Sequence, residues 1–173
     1  MLNKCLDLAQ LRYRGINLSF LSNSGLRLGD MCGAMFTAGL DNIHAARTVN
    51  NVFYPAHGKL RFVPANDVGL SARFEDNRYI MQASGKVFSA QQFGENAVLH
   101  RTIRTEYGIP ALTIIDEIEN RGFEDMPICL LYHCNAGYPL LSPASRVLFP
   151  SKDTMARDDF SRLDGHLVMD EPK

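Results

Sequence analysis

Between residues 68 and 135, apolar and polar residues alternate in five separate runs, 68–74, 79–87, 97–105, 112–119 and 128–135. A period of two sends successive side chains to opposite faces, so each run is predicted to be a β-strand. Turn-forming groups separate the runs: Glu75-Asp76-Asn77, Gly94-Glu95-Asn96, Tyr107-Gly108-Ile109-Pro110 and Asn120-Arg121-Gly122. Connections this short join antiparallel neighbours and leave no room for parallel crossovers. The five runs therefore predict an antiparallel meander, or one sheet of a sandwich.

The front of the chain patterns less clearly. Leu6, Leu8, Ile16, Leu18 and Phe20 alternate with Asp7, Asn17 and Ser19, with a turn at Arg14-Gly15. Residues 22–42 hold Gly25, Gly29, Gly33 and Gly39 and sustain no period. They read as loop with one short helical turn near 31–36, within a loop-rich segment at 22–56. Residues 147–149 predict a short further strand, and the polar residues at 151–173 predict a poorly packed tail. A sheet with one apolar face needs a second layer. The front segments offer few strands for one, so 1–173 reads as a single β-sandwich domain short of material for closure.

Length and composition change this picture little. The 173 residues suit one domain, and 46% hydrophobic content allows a core. The net charge is −1 and no basic stripe gathers on one segment, which argues against a nucleic-acid partner. The four cysteines, Cys5, Cys32, Cys129 and Cys134, form no C-x-x-C pair. Cys129 and Cys134 lie five apart on one predicted strand, point to opposite faces and should not bridge. No apolar run is long enough to span a membrane, and Met1-Leu2-Asn3-Lys4-Cys5 does not open a signal peptide. A cytoplasmic location is the expectation.

Candidate chemistry concentrates on the run at 128–135. Ile128, Leu130, Tyr132 and Cys134 share one face, a candidate core face. Cys129, Leu131, His133 and Asn135 share the other, which ends in two polar groups side by side. An imidazole gives or takes a proton near neutral pH, and an adjacent amide holds a hydroxyl through a donor and an acceptor. Tyr138, where the chain bends at Gly137-Tyr138-Pro139, is placed to cover a flat ligand. The competing reading of His133 is a strand-end histidine bonded to backbone. His57 precedes Gly58 in a loop, which leaves it little steric cover. Glu95 and His100 with the two histidines offer a metal set, although no pair has the tight spacing of an H-x-H site. Arg101 and Arg104 face opposite sides of one strand, so one of them can reach a ligand. Asp116, Glu117 and Glu119 read as edge charges that discourage aggregation.

Several segments are familiar together: Gly39-Leu40-Asp41-Asn42, His57-Gly58, Pro64-Ala65-Asn66-Asp67, Phe93-Gly94-Glu95-Asn96 and, above all, the run from Leu131 to Leu141 with its Tyr132-His133-Cys134-Asn135-Ala136-Gly137-Tyr138-Pro139 core. In this order the chain resembles the uncharacterised aldose 1-epimerase-like family of the galactose-mutarotase-like superfamily. The resemblance implies an antiparallel β-supersandwich with a sugar in an open groove, present here as roughly its N-terminal half. It implies that His57 and His133 are catalytic. His133 would be the acid, and His57 would hold or polarise the ring oxygen or a neighbouring hydroxyl. Asn135, Tyr138 and Asp41 are implied as substrate contacts, with Arg61 and Arg101 the candidates for the arginine set against the sugar. No cofactor and no metal are implied.

The glutamate that serves as base in mutarotases lies far toward the C-terminus of a longer chain, and no carboxylate here takes that role. The expectation is a truncated form with impaired isomerisation, one that self-associates or pairs with a chain supplying the missing half. A small-molecule sugar is the expected ligand, with neither nucleic acid nor membrane as partner. The alternatives are a non-catalytic carbohydrate-binding protein, a metal-dependent sugar isomerase using His57, Glu95, His100 and His133, and a non-functional remnant. The first reading requires the His57 and His133 rings to meet in one cleft. Rings on opposite faces of the sheet would exclude it.

Overall fold

The structure is a computed structural model that describes residues 4–22, 32–92, 94–148, 150, 155 and 159. The described residues form ten strands: β1 (Arg12–Tyr13), β2 (Ile16–Asn17), β3 (Met35–Leu40), β4 (Arg47–Val49), β5 (Val52–Tyr54), β6 (Asn66–Glu75), β7 (Arg78–Ala90), β8 (Asn96–Glu106), β9 (Leu112–Asn120) and β10 (Cys129–Cys134). Among the described residues the only helical element is a 3-10 turn at Leu60–Phe62. Every pairing is antiparallel, so the chain is all-β as the alternation predicts. Among the described residues, no helix is long and apolar enough to cross a membrane.

β6, β7, β8 and β9 make one sheet in sequence order, a four-stranded meander. Its first reversal places both Asp76 and Asn77 at positive φ, 47° and 65°. That is the backbone of a type I′ hairpin, whose twist matches the flanking strands. Asn50 and Asn51 repeat the device between β4 and β5, and Arg14 and Gly15 between β1 and β2.

The predicted fifth strand does not extend the meander. β10 instead pairs with β3, from Cys129 opposite Leu40 to Cys134 opposite Met35. β3 itself corrects the reading of 31–36 as loop and helical turn, and the loop-rich segment also contains the β4–β5 hairpin. All six β3 residues are buried. A strand covered on both faces has no polar side to alternate with, so the period of two disappears. The alternation at 6–8 and 18–20 yields single bridges among the described residues, Leu8 to Met35, Ser19 to Ala136 and Phe20 to Gly33. Val147 and Leu148 lie outside any strand; Phe149 and, apart from Met155 and Asp159, the tail at 151–173 fall outside the described residues.

The core lies between the middle of the four-stranded sheet and a layer made of β3, β10, the 3-10 turn and residues near Cys5. Leu40 and Leu60 from that layer meet Val87, Ala97 and Leu99 from the sheet, with Leu130 packed alongside. Burial pushes the Cys5 thiol up to about 12, so it acts as a small apolar side chain.

A buried charge network pins the two layers together. The fully buried Arg101 guanidinium donates to both oxygens of Asp116 at 2.9 and 2.7 Å, to Asp7 Oδ1 at 2.8 Å and to the Cys5 carbonyl at 3.0 Å. Asp7 also accepts from Thr37 on β3, at its amide and its hydroxyl. The Tyr132 hydroxyl donates to Asp116 at 2.8 Å, which brings in β10. Asp116 is thus an internal counterion and not an edge charge. Arg104, on the other face of β8, pairs with Glu75.

A two-histidine face on the β3–β10 pair

The β3–β10 register places His133 directly opposite Phe36. Side chains directly opposite on one face are near neighbours, and here the two rings stack at a centroid distance of 4.4 Å and 16° between planes. Phe36 is buried, so it forms a fixed floor for the imidazole.

His57 reaches the same place from a loop. Its backbone has φ +61° and the next residue, Gly58, has φ +77°, so the chain turns sharply at this point. The turn is bonded on all sides. His57 N donates to the His44 carbonyl at 2.9 Å, and its carbonyl accepts from Gly39 N at 3.0 Å. Asp41 Oδ1 accepts from Lys59 N at 3.1 Å, while Oδ2 faces Lys59 Nζ at 3.5 Å. Asn42, buried beside it, donates from Nδ2 to the carbonyls of His44, Ala45 and Pro55. Sequence reasoning missed this role of Asn42. Its signal was an Asx residue two positions before His44, whose amide its Oδ1 accepts.

The result is a compact aromatic cluster. The His57 and His133 centroids are 5.5 Å apart at 79°, and His57 also stands edge-on to Phe36 at 5.8 Å. Arg61, on the 3-10 turn, is buried with its guanidinium carbon 5.0 Å over the Phe36 ring. A cation over a ring face is held by the ring quadrupole. Of the residues the sequence singled out, the structure brings His57, His133 and Arg61 together around Phe36. Asn135 follows two positions after His133, and Asp41 serves as a brace behind the His57 turn. Tyr138 is 70% exposed beyond β10. Arg101 does not join them: its donors are spent inside the core, which corrects its reading as a sugar contact.

The electrostatics of the pair are asymmetric. His57 Nδ1 faces the Ile43 carbonyl at 3.2 Å, so in the neutral ring Nδ1 carries the hydrogen and Nε2 keeps its lone pair. Burial lowers the His57 pKa; the Ile43 contact opposes this, and the neighbouring His133, Arg61 and His44 reinforce it. Near the end of β10, His133 Nδ1 and, one residue beyond the strand, Asn135 Nδ2 are buried with no hydrogen-bond partner among the described residues, as is Asp41 Oδ2 in the His57 loop. Buried polar atoms are normally bonded, so His133 and Asn135, two residues apart at the end of β10, mark a place where a ligand can supply partners.

The proposed metal set does not assemble. His100 Nε2 meets Glu119 at 2.9 Å on the four-stranded sheet, and Glu95 sits in the β7–β8 connection. Among the described residues no group of three or more His, Cys, Asp and Glu side chains is placed to hold a metal ion.

A family model matches residues 1–172. The chain belongs to the family described as a domain of unknown function, DUF4432. No curated protein and no solved structure matches it.

Proposed function

We propose that the His57–His133 face of this DUF4432 chain binds a sugar and interconverts its anomers, the reaction of the aldose 1-epimerase-like proteins that the sequence resembles. The observation that carries this reading is the convergence of the two imidazoles, 5.5 Å apart, from a loop and a strand distant in sequence. Anomer interconversion needs proton transfer at two oxygens on one carbon, the C1 hydroxyl and the ring oxygen. Two neighbouring imidazoles suit that demand, because each gives or takes a proton near neutral pH.

In this reading His133 is the acid that protonates the ring oxygen. The unpartnered Nδ2 of Asn135 donates to a sugar hydroxyl, and the exposed Tyr138 ring covers the sugar. Phe36 keeps the His133 ring in one plane. Arg61 contributes positive charge beneath the site.

Polarimetry on freshly dissolved α-D-glucose and α-D-galactose tests this. The protein is expected to speed the approach to anomeric equilibrium in proportion to its concentration. His133→Ala should lower that acceleration by about 100- to 10,000-fold, the range for loss of a general acid or base. Rotation that changes no faster than in buffer, with folded wild-type protein, contradicts the proposal. If such protein still binds the sugars, the face is a carbohydrate-binding site without catalysis.

A further inference from the structure

We infer that His57 is the general base of this reaction, its Nε2 taking the proton of the anomeric hydroxyl while His133 protonates the ring oxygen. The inference rests on the sugar-isomerising reading above. It differs from the role the resemblance implies for His57, that of holding or polarising the ring oxygen.

The first argument is geometric. The two oxygens that exchange protons are bonded to the same carbon, so two adjacent imidazoles can reach both of them. The His57 and His133 rings are neighbours, and at 79° between planes their nitrogens point in different directions. The second argument is tautomeric. Nδ1 of His57 is tied to the Ile43 carbonyl, which leaves the lone pair on Nε2, the nitrogen remote from the backbone. A general base needs that lone pair, and the lowered pKa of His57 keeps it unprotonated at neutral pH.

The steps balance. Nε2 of His57 accepts the C1 hydroxyl proton as the C1–O1 bond becomes a carbonyl. The bond between C1 and the ring oxygen breaks, and its electron pair takes the proton of His133. The open aldehyde then turns about C1–C2. The ring oxygen, returning its proton to His133, attacks the other face of the carbonyl, and O1 recovers its proton from His57. The opposite anomer leaves, and both imidazoles are restored.

The test is the pH dependence of kcat/KM, by polarimetry, for wild type and His57→Asn. Asparagine tolerates the positive φ of +61° and keeps a donor near Ile43, so the loop should hold. In wild type, activity should fall as acid protonates His57, with a midpoint below the ordinary histidine value of about 6.5. His57→Asn is expected to lose about 100-fold or more in kcat/KM and to lose that acid limb. In His57→Gly, added imidazole should restore part of the rate. Retention of kcat/KM within about threefold in His57→Asn, or a loss that leaves the acid limb intact and does not respond to imidazole, overturns the base assignment alone. A wild-type protein that does not accelerate mutarotation overturns the reading beneath it as well.

Discussion

Arg101→Ala is expected to destabilise the fold by about 3–5 kcal/mol, the usual cost of breaking a buried ion pair by removing one partner. That is a large part of the roughly 5–15 kcal/mol that holds a typical domain together. The reason lies in what remains behind. Asp7 and Asp116 would both lose their counterion while buried, with side chains about 3% exposed. Burial already pushes the Asp7 carboxyl up, against the opposing pull of Thr37 and Arg101. Burial also works against the Arg101 charge, and the two carboxylates more than restore it. Arg101→Lys should rescue little, because a single ammonium cannot reproduce the forked contact with Asp116 and the reach to Asp7 and Cys5. Urea denaturation followed by circular dichroism measures this. A loss under about 1 kcal/mol would show that the network is not a structural pin. Sugar affinity of the folded fraction should stay unchanged, which separates this role from ligand binding.

Gly58→Ala is the second large effect, and it should strike stability and activity together. A Cβ at Gly58 would stand 2.4 Å from the Gly39 carbonyl oxygen, 2.6 Å from that of Asn42 and 2.6 Å from Asp41 Oδ1. Two of these three atoms are backbone and cannot swing aside. The φ of +77° adds the left-handed penalty that any L side chain meets. Together these are expected to cost about 2–4 kcal/mol. Whatever yields in response displaces His57, the preceding residue, so mutarotation should fall further than the folded fraction does. A variant with a melting curve and rate close to wild type would show that the His57–Gly58 turn is not the rigid support described here.

The sequence made the meander legible because each of its strands alternates and each reversal carries turn chemistry, as at Asp76-Asn77. The existence of β10 was equally plain, as was its division into a core face and a polar-ended face. Its partner was not. Alternation reports which face a residue occupies but not which strand lies beside it, and the connection at 121–128 is long enough to carry the chain to another layer. β3 was invisible for the opposite reason: burial on both sides removes the polar positions that reveal a strand. Arg101 and Asp116 were read as ligand contact and edge charge because spacing does not disclose that their face is sealed by Thr37, Asp7 and Tyr132. The meeting of His57 with His133 came from the family resemblance and not from spacing. Asn42, which organises the His57 loop, bears no chemical signature beyond being an Asx residue before a turn.

The central claim is that the His57–His133 face is where a sugar sits, and titration of the protein with D-galactose, watched through its imidazole proton resonances, tests it most directly. His57 and His133 are expected to shift together and saturably, while His100, bonded to Glu119 on the four-stranded sheet, stays in place. Binding that moves His100 and leaves the pair unmoved, or no saturable shift at any histidine, would contradict the account.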